Sequence, residues 1–158
     1  MATERVEIRK AHLDVRRAGR WPGVRWGRLV VVGAGTVVAS TIANVLVAQA
    51  LVSLLQVPAT FRSLQTASVA PLTVIGVAGA VIVFAVLARL RPDPVRAFTA
   101  VATIALVISW VPDLLLYASE RSYGTTLAEI LGLMSLHVVA AGIAVFLLGR
   151  YGFRPREA

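Results

Sequence analysis

The sequence predicts an all-α membrane protein, a bundle of four transmembrane helices with both termini in the cytoplasm. Three observations predict this fold class. The 158-residue chain is 58% hydrophobic, and its mean hydropathy is +0.78. Only 15% of its residues are charged, whereas soluble domains carry about a quarter. The charges also lie between four long apolar runs, each near the ~20 residues that a helix needs to cross a bilayer.

Charge and cysteine content narrow the function classes. The chain has no cysteine, which excludes disulfides, thiol catalysis and cysteine metal sites. Its net charge of +8 does not indicate nucleic acid, because the basic residues flank apolar runs and form no continuous stripe. The predicted partners are therefore the lipid bilayer and anionic lipid headgroups near the basic segments.

Charge also divides the chain into three parts. Residues 1–28 form a basic N-terminal arm with eight Lys/Arg, too long and too charged for a signal peptide. Residues 29–149 form the transmembrane domain, and residues 150–158 form a basic tail. The arm is interpreted as a cytoplasmic topology determinant, with partner binding as the alternative.

Span 1 is predicted over residues 29–55. Small and polar residues recur along it every four positions, which places them on one helix face: Thr36, Ser40, Asn44 and Ala48. Such faces are typical of helix–helix contacts in lipid. The Asn44 amide must find partners there, either in a neighbouring helix alone or also in a ligand.

Span 2 is predicted over residues 69–90, with Pro71 in its first turn, where a missing N–H costs little. Gly76 and Ala80 predict a close helix contact, and Gly79 a second close approach. Thr73 is almost its only polar residue, so this span is interpreted as scaffold.

Spans 3 and 4 are predicted over residues 97–116 and 127–148. The basic turn 89–96 before span 3 contains two prolines, which end one helix and start the next. Thr126 and Glu129 have the spacing of a capping box at the start of span 4.

Basic residues predict the orientation through the positive-inside rule. The arm, the 89–96 turn and the tail carry 14 of the 16 Lys/Arg, and the other two loops carry only Arg62 and Arg121. Both termini are therefore expected in the cytoplasm, and residue usage rich in Ala, Val and Arg favours a bacterial inner membrane.

Polar residues inside the apolar runs predict the functional site. Asp113 and Ser109 share a face of span 3, and His137 lies in span 4. An ionisable residue at such depth faces a bundle interior, a cavity or a partner. With Asn44, these residues predict an outward-opening ligand- or ion-binding cleft between spans 1, 3 and 4.

Depth along the helix axes sets how the cleft residues are expected to meet. At ~1.5 Å per residue, Asp113 and His137 differ in depth by roughly 9 Å, which predicts a bridge of water or ligand between them. Pro112 cannot donate to the carbonyl of Ile108, so that oxygen is expected to be free for binding. Alternatively, Asp113 is hydrated at the outer interface and His137 only bonds a neighbouring helix.

Two segments carry a resemblance to a known family: Leu106–Leu116, with the residues Ser-Trp-Val-Pro-Asp inside it, and Leu133–Ala141 around His137. The chain from span 1 to span 4 resembles small uncharacterised bacterial four-helix membrane proteins, a domain of unknown function. The resemblance implies four helices and importance for Asp113 and His137, and it implies no activity.

Three function classes follow. The first is a protein that handles a proton, cation or small ligand in the cleft, for transport or sensing. The second is a structural subunit of a larger membrane complex, or a homo-oligomer. The third is a membrane-embedded enzyme or cofactor protein; enzymatic activity is not favoured, no cofactor can be named, and one His with one Asp is too few for a zinc site.

Overall fold

A computed structural model describes residues 26–120 and 125–152 of the chain. Within these ranges the chain forms four helices: α1 (Trp26–Leu55), α2 (Thr66–Leu90), α3 (Pro94–Glu120) and α4 (Leu127–Leu147). A short 3-10 helix, Arg62–Leu64, precedes α2, and a π-helical turn, Leu148–Gly152, continues α4. All four helices are long and apolar enough to cross a membrane. The predicted all-α class with four helices is confirmed.

Three of the four helices are longer than the predicted spans. α1 and α2 each begin three residues earlier, and α3 extends at both ends. Pro71 consequently lies in the second turn of α2, not the first as predicted, so the carbonyl of Ala67 has lost its helical N–H donor. Helical backbone also continues past residue 150, where the tail was predicted to begin. Residues 1–25 of the predicted arm, residues 121–124 and residues 153–158 lie outside the described residues.

Local sequence explains where α1 ends. Gln56, just after the helix, has a positive φ of 51°, the left-handed conformation that commonly closes a helix. The N–H of Val57 then donates to the carbonyl of Val52 at 3.1 Å, and both side chains pack in the same apolar cluster. The hydrogen bond gives the Val52 carbonyl a donor that the helix end would otherwise not supply, and the apolar contact accompanies it.

The starts of α3 and α4 follow the predicted signals. Pro94 occupies the first position of α3, and the Asp93 carboxylate accepts the N–H of Arg96 at 3.1 Å. The predicted capping box of α4 is confirmed: Glu129 N–H donates to the Thr126 hydroxyl at 3.3 Å, and Thr126 N–H donates to the Glu129 carboxylate at 2.7 Å.

The helices form a ring in which each neighbours the next. α1 packs against α2 and α4, and α3 packs against the same two helices from the other side. α1 turns one face into the ring, and its buried residues recur every three or four positions: Leu29, Gly33, Thr36, Ser40, Asn44 and Ala48. The predicted shared face of α1 is therefore confirmed.

The close contact between α1 and α2 lies at Gly33. A Cβ on Gly33 would lie 2.6 Å from Val81 Cγ1, so the absence of a side chain lets the helices approach. The predicted contacts at Gly76 and Gly79 are wrong, because a Cβ on either would meet nothing within 4 Å. Ala80 packs only partly, against the apolar cluster around Phe84.

Five of the six described arginines gather at one end of the ring, which we call the basic end: Arg28, Arg89, Arg91, Arg96 and Arg150. Phe84 and Phe98 pack edge to face there, with ring centroids 5.2 Å apart. Arg28 Nε donates to the carbonyl of Tyr151 at 2.6 Å, which joins the start of α1 to the π-helical turn after α4. The other end of the ring, with Arg62, is called the opposite end.

Candidate functional site

A groove of about 410 Å³ lies between α2 and α3, with α4 as its floor. Its lining extends over residues 69–80 of α2, 98–109 of α3 and 133–144 of α4. Each stretch covers eleven residue steps, which makes the groove roughly 16 Å long at ~1.5 Å per residue. Its volume falls in the range of small-molecule sites.

Small residues create the groove. Gly76 and Ala80 on α2 face Ala102 and Ala105 on α3, so no large side chain fills the space between the two helices. A small-residue face permits close packing, but here α2 and α3 leave the space between their faces open. The motif that predicted a helix contact at Gly76 marks a cavity wall instead.

The groove opens sideways. Leu72, Gly76 and Ala105 line it and are exposed on the outer surface of the ring. The sequence predicted a cleft between spans 1, 3 and 4 with span 2 as scaffold; that assignment is wrong for α2, which forms one wall. α1 contributes Asn44 alone to the lining.

His137 and Asp113 meet directly. His137 Nδ1 lies 3.3 Å from Asp113 Oδ2, and the Asp113 side chain is only 7% exposed while that of His137 is 38% exposed. The expected water or ligand bridge between them is therefore wrong. Asp113 is not part of the groove lining, whereas His137 is, so the carboxylate supports the imidazole from behind.

Helix length and side-chain direction explain the direct contact. Asp113 lies seven residues before the end of α3, and His137 lies ten residues after the start of α4. Measured from the opposite end, their depths differ by only ~5 Å at a ~1.5 Å rise. Side chains also lean toward the N-terminus of their helix, so in these antiparallel helices the two lean toward each other.

A second oxygen fixes the histidine tautomer. His137 Nδ1 also lies 3.2 Å from the carbonyl of Leu133, in hydrogen-bond geometry, whereas the approach to Asp113 Oδ2 is close but not aligned as a hydrogen bond. A carbonyl has no proton to give, so Nδ1 carries the proton. In the neutral ring, Nε2 then bears a lone pair and is the nitrogen left for a ligand.

Asn44 is held by a residue that the sequence interpretation placed in scaffold. Its Nδ2 donates to Thr73 Oγ1 at 3.1 Å, and Thr73 Oγ1 in turn donates to the carbonyl of Val69 at 2.7 Å. Because the Thr73 proton is used on Val69, the amide nitrogen of Asn44 must face Thr73. Thr73 is the one polar residue in the apolar part of α2, so the sequence did contain an indication that this position meets a polar partner.

Ser109 lies in the groove, whereas the region around Pro112 lies outside it. Ser109 lines the groove, and its hydroxyl donates to the carbonyl of Leu106 at 2.7 Å. Ile108 and Pro112 are exposed on α3 and are not in the lining. The expectation that the Ile108 carbonyl belongs to the site is therefore wrong.

The groove thus brings together three of the four predicted residues, Asn44, Ser109 and His137, and places Asp113 behind the last. Among residues 26–120 and 125–152, no three His, Cys, Asp or Glu side chains gather at a distance suited to a metal ion. The arrangement suits hydrogen bonding to a small molecule in apolar surroundings.

These features define a class: a four-helix bundle of potential membrane spans with a side groove and a His–Asp pair in its wall. The chain belongs to the family described as "Family of unknown function (DUF6069)", whose model matches residues 20–153. The match covers all four helices and begins within the predicted arm. Neither a curated protein nor a solved structure matches the chain.

Proposed function

We propose that this protein is an integral protein of the bacterial inner membrane that binds a small, largely apolar molecule in the groove, for transport or sensing. The observation that carries the proposal is the groove of about 410 Å³ with His137 in its wall and Asp113 behind it. An ionisable pair inside an apolar helix bundle is costly and therefore indicates a functional site.

The lining favours a small molecule over a cation. Most of the groove surface is formed by apolar side chains, and the polar lining groups are few: Asn44, Ser63, Thr73, Ser109 and His137. A hard cation needs six or more oxygen ligands, several of them carboxylates. A mostly apolar cavity with a few placed polar groups is instead typical of a site for a small organic molecule.

The orientation is part of the proposal. The gathering of described arginines at the basic end supports a cytoplasmic location for that end, by the positive-inside rule. Reporter fusions at Ala158 and within residues 57–68 test it. We expect a cytoplasmic reporter at Ala158 and an external one within 57–68, and the reverse pattern would overturn the orientation.

A variant that fills the groove tests binding. Gly76 lines the groove and has open space at its Cβ, so Gly76→Leu should occupy the cavity without disturbing packing. Gly35→Leu is the matched control, because Gly35 also has open space but lies outside the groove. Each protein is purified in nanodiscs of defined lipid, and the molecules that co-purify are identified by mass spectrometry.

We expect a molecule distinct from the added lipid in wild type and Gly35→Leu, and its loss in Gly76→Leu. Equal retention by all three proteins would contradict the groove as the binding site. Retention by none of them would contradict ligand binding itself.

A subunit role in a membrane complex is the second candidate function, favoured by the exposure of α3. In an 18-residue apolar stretch of α3 only 6% of the residues are buried, against 22% in the corresponding stretch of each other helix. α3 is therefore the helix with the most surface left for a partner. Isolation of the protein as a monomer in mild detergent, with no associated chain, would count against this second function.

A further inference from the structure

Four of the five polar residues that line the groove, all except Ser63, offer the same kind of hydrogen-bonding group. The Thr73 hydroxyl donates to Val69 and the Ser109 hydroxyl donates to Leu106. A hydroxyl has a single proton, so both groups present only lone pairs to anything else that reaches them. Two of the polar groups that line the groove are therefore acceptors.

Asn44 adds a buried acceptor. The residue is 3% exposed, its nitrogen faces Thr73, and its Oδ1 has no hydrogen-bond partner within the part of the chain that the structure describes. A buried carbonyl oxygen without a partner costs about 1–3 kcal/mol. A donor group on a bound molecule would remove that cost.

His137 also offers a hydrogen-bond acceptor to the groove. Its Nδ1 proton faces Leu133 O, so the neutral ring offers the Nε2 lone pair. The Asp113 carboxylate behind the ring makes this side of the groove more negative. An acceptor-only head, and above all an anionic head, would meet lone pairs and negative charge here.

The rest of the groove is apolar. From Thr73, Ser109 and His137 toward the basic end, the lining consists of Gly, Ala, Val, Leu and Phe. This apolar part covers seven to eleven residue steps, which is roughly 10 to 16 Å at ~1.5 Å per residue. Carbon–carbon bonds of ~1.5 Å advance roughly 1.25 Å each in an extended chain, so roughly eight to twelve carbons match this length.

We infer that the groove selects an aliphatic molecule of about eight to twelve carbons whose head donates hydrogen bonds, a hydroxyl or an amine. The inference rests on the proposed function and names its ligand class. The head lies among Asn44, Ser109 and His137, and the chain extends toward the basic end. The side opening at Leu72, Gly76 and Ala105 gives such a molecule access from the bilayer.

The chain has only two histidines, which provides a direct measurement. In a His12→Gln protein, labelling with ¹⁵N-histidine reports on the His137 ring alone. The protein is placed in lipid nanodiscs and titrated with 1-decanol, decylamine, decanoate and 1-methoxydecane. The last compound differs from 1-decanol by methylation of the hydroxyl, which removes the donor proton and keeps the oxygen as an acceptor.

We expect a saturable change of the His137 Nε2 signal with 1-decanol or decylamine, and binding of 1-methoxydecane about three- to tenfold weaker than that of 1-decanol, the usual effect of one lost hydrogen bond. Saturation by decylamine alone assigns the head as an amine, and saturation by 1-decanol alone assigns it as a hydroxyl. Decanoate or 1-methoxydecane binding as tightly as the donor-headed compounds would overturn the inference but leave the groove a binding site. No saturable change with any compound would overturn the inference and the proposed function together.

Two variants in this background locate the acceptor. Asn44→Leu removes the unpartnered oxygen and should weaken 1-decanol binding about three- to tenfold, bringing it close to that of 1-methoxydecane. Ser40→Ala is the control, because Ser40 is buried one turn away on α1 but does not line the groove; its affinity should stay unchanged. Equal affinity in both variants would overturn the role of Asn44, and the head-group series tests the ligand class even if Asn44→Leu fails to fold.

Discussion

The contact between Asp113 and His137 is central to the candidate site, and it can be tested by mutating both residues. Asp113→Asn keeps the shape of the side chain but removes its charge, and His137→Gln removes the ring but keeps an amide. Each single change and the double change are compared with wild type in a double-mutant cycle, which isolates the interaction of the two side chains. The measured quantity is the free energy of unfolding of the purified protein, from titration with sodium dodecyl sulfate in mixed micelles.

The separation of the two side chains sets the magnitude. Two unit charges at the observed 3.3 Å attract by about 5 kcal/mol at an effective dielectric constant of about 20. The His137 side chain is 38% exposed, and a neutral ring interacts only through its dipole. The expected coupling therefore lies in the range found for side chains in direct contact, about 0.5–3 kcal/mol.

Ligand binding should show the same dependence on both side chains. Because His137 faces the groove and Asp113 holds it, we expect either single change to weaken the binding of a donor-headed ligand about three- to tenfold. The double change should be no worse, as for groups that act as a unit. His12→Gln removes the other histidine and should leave both stability and binding unchanged. A coupling below about 0.5 kcal/mol, which is the scatter of independent sites, would refute the direct contact.

Two further predictions concern the packing that holds the site, and both use the same unfolding measurement. Gly33→Ala would place a Cβ 2.6 Å from Val81 Cγ1, so we expect a loss of about 1–3 kcal/mol from overpacking, largely recovered when Val81→Ala is added. Gly35→Ala, which has open space, should gain stability from helix propensity; an equal loss at both glycines would show that contact with Val81 is not the cause. Thr126→Ala removes half of the capping box with Glu129 and should cost about 1 kcal/mol, whereas Thr126→Ser should not, and no loss in either variant would mean that the box does not hold the start of α4.

Rules that depend on one helix at a time predicted well from the sequence. The inward face of α1 followed from small and polar residues four positions apart, because such residues favour helix–helix contacts in lipid. The capping box at Thr126 and the turn before Pro94 are local patterns that need no knowledge of neighbouring helices. Of these features, the polar face of α1 placed Asn44 toward the inside of the ring before any packing was known.

Features that depend on two helices together were not predictable in the same way. A small residue such as Gly76 or Gly33 shows only that a face is flat; whether a neighbour approaches, as Val81 does at Gly33, depends on how the helices are spaced. The separation of Asp113 and His137 was overestimated because the depths were counted along straight axes from helix ends that lie elsewhere. Counting from the observed helix ends leaves a depth difference of ~5 Å, and the two side chains close the rest because they lean toward each other.

The hydrogen bond from Arg28 to the carbonyl of Tyr151 makes the fold a closed circle of helices. Since the last described turn returns to the first described helix, α4 and α1 are as adjacent as any pair joined by a loop. The same helix packing could therefore be reached with a different order of the helices along the chain. A circular permutant that joins Gly152 to Trp26 through a short linker, with new ends in the 89–96 turn, should therefore retain the ring and its groove.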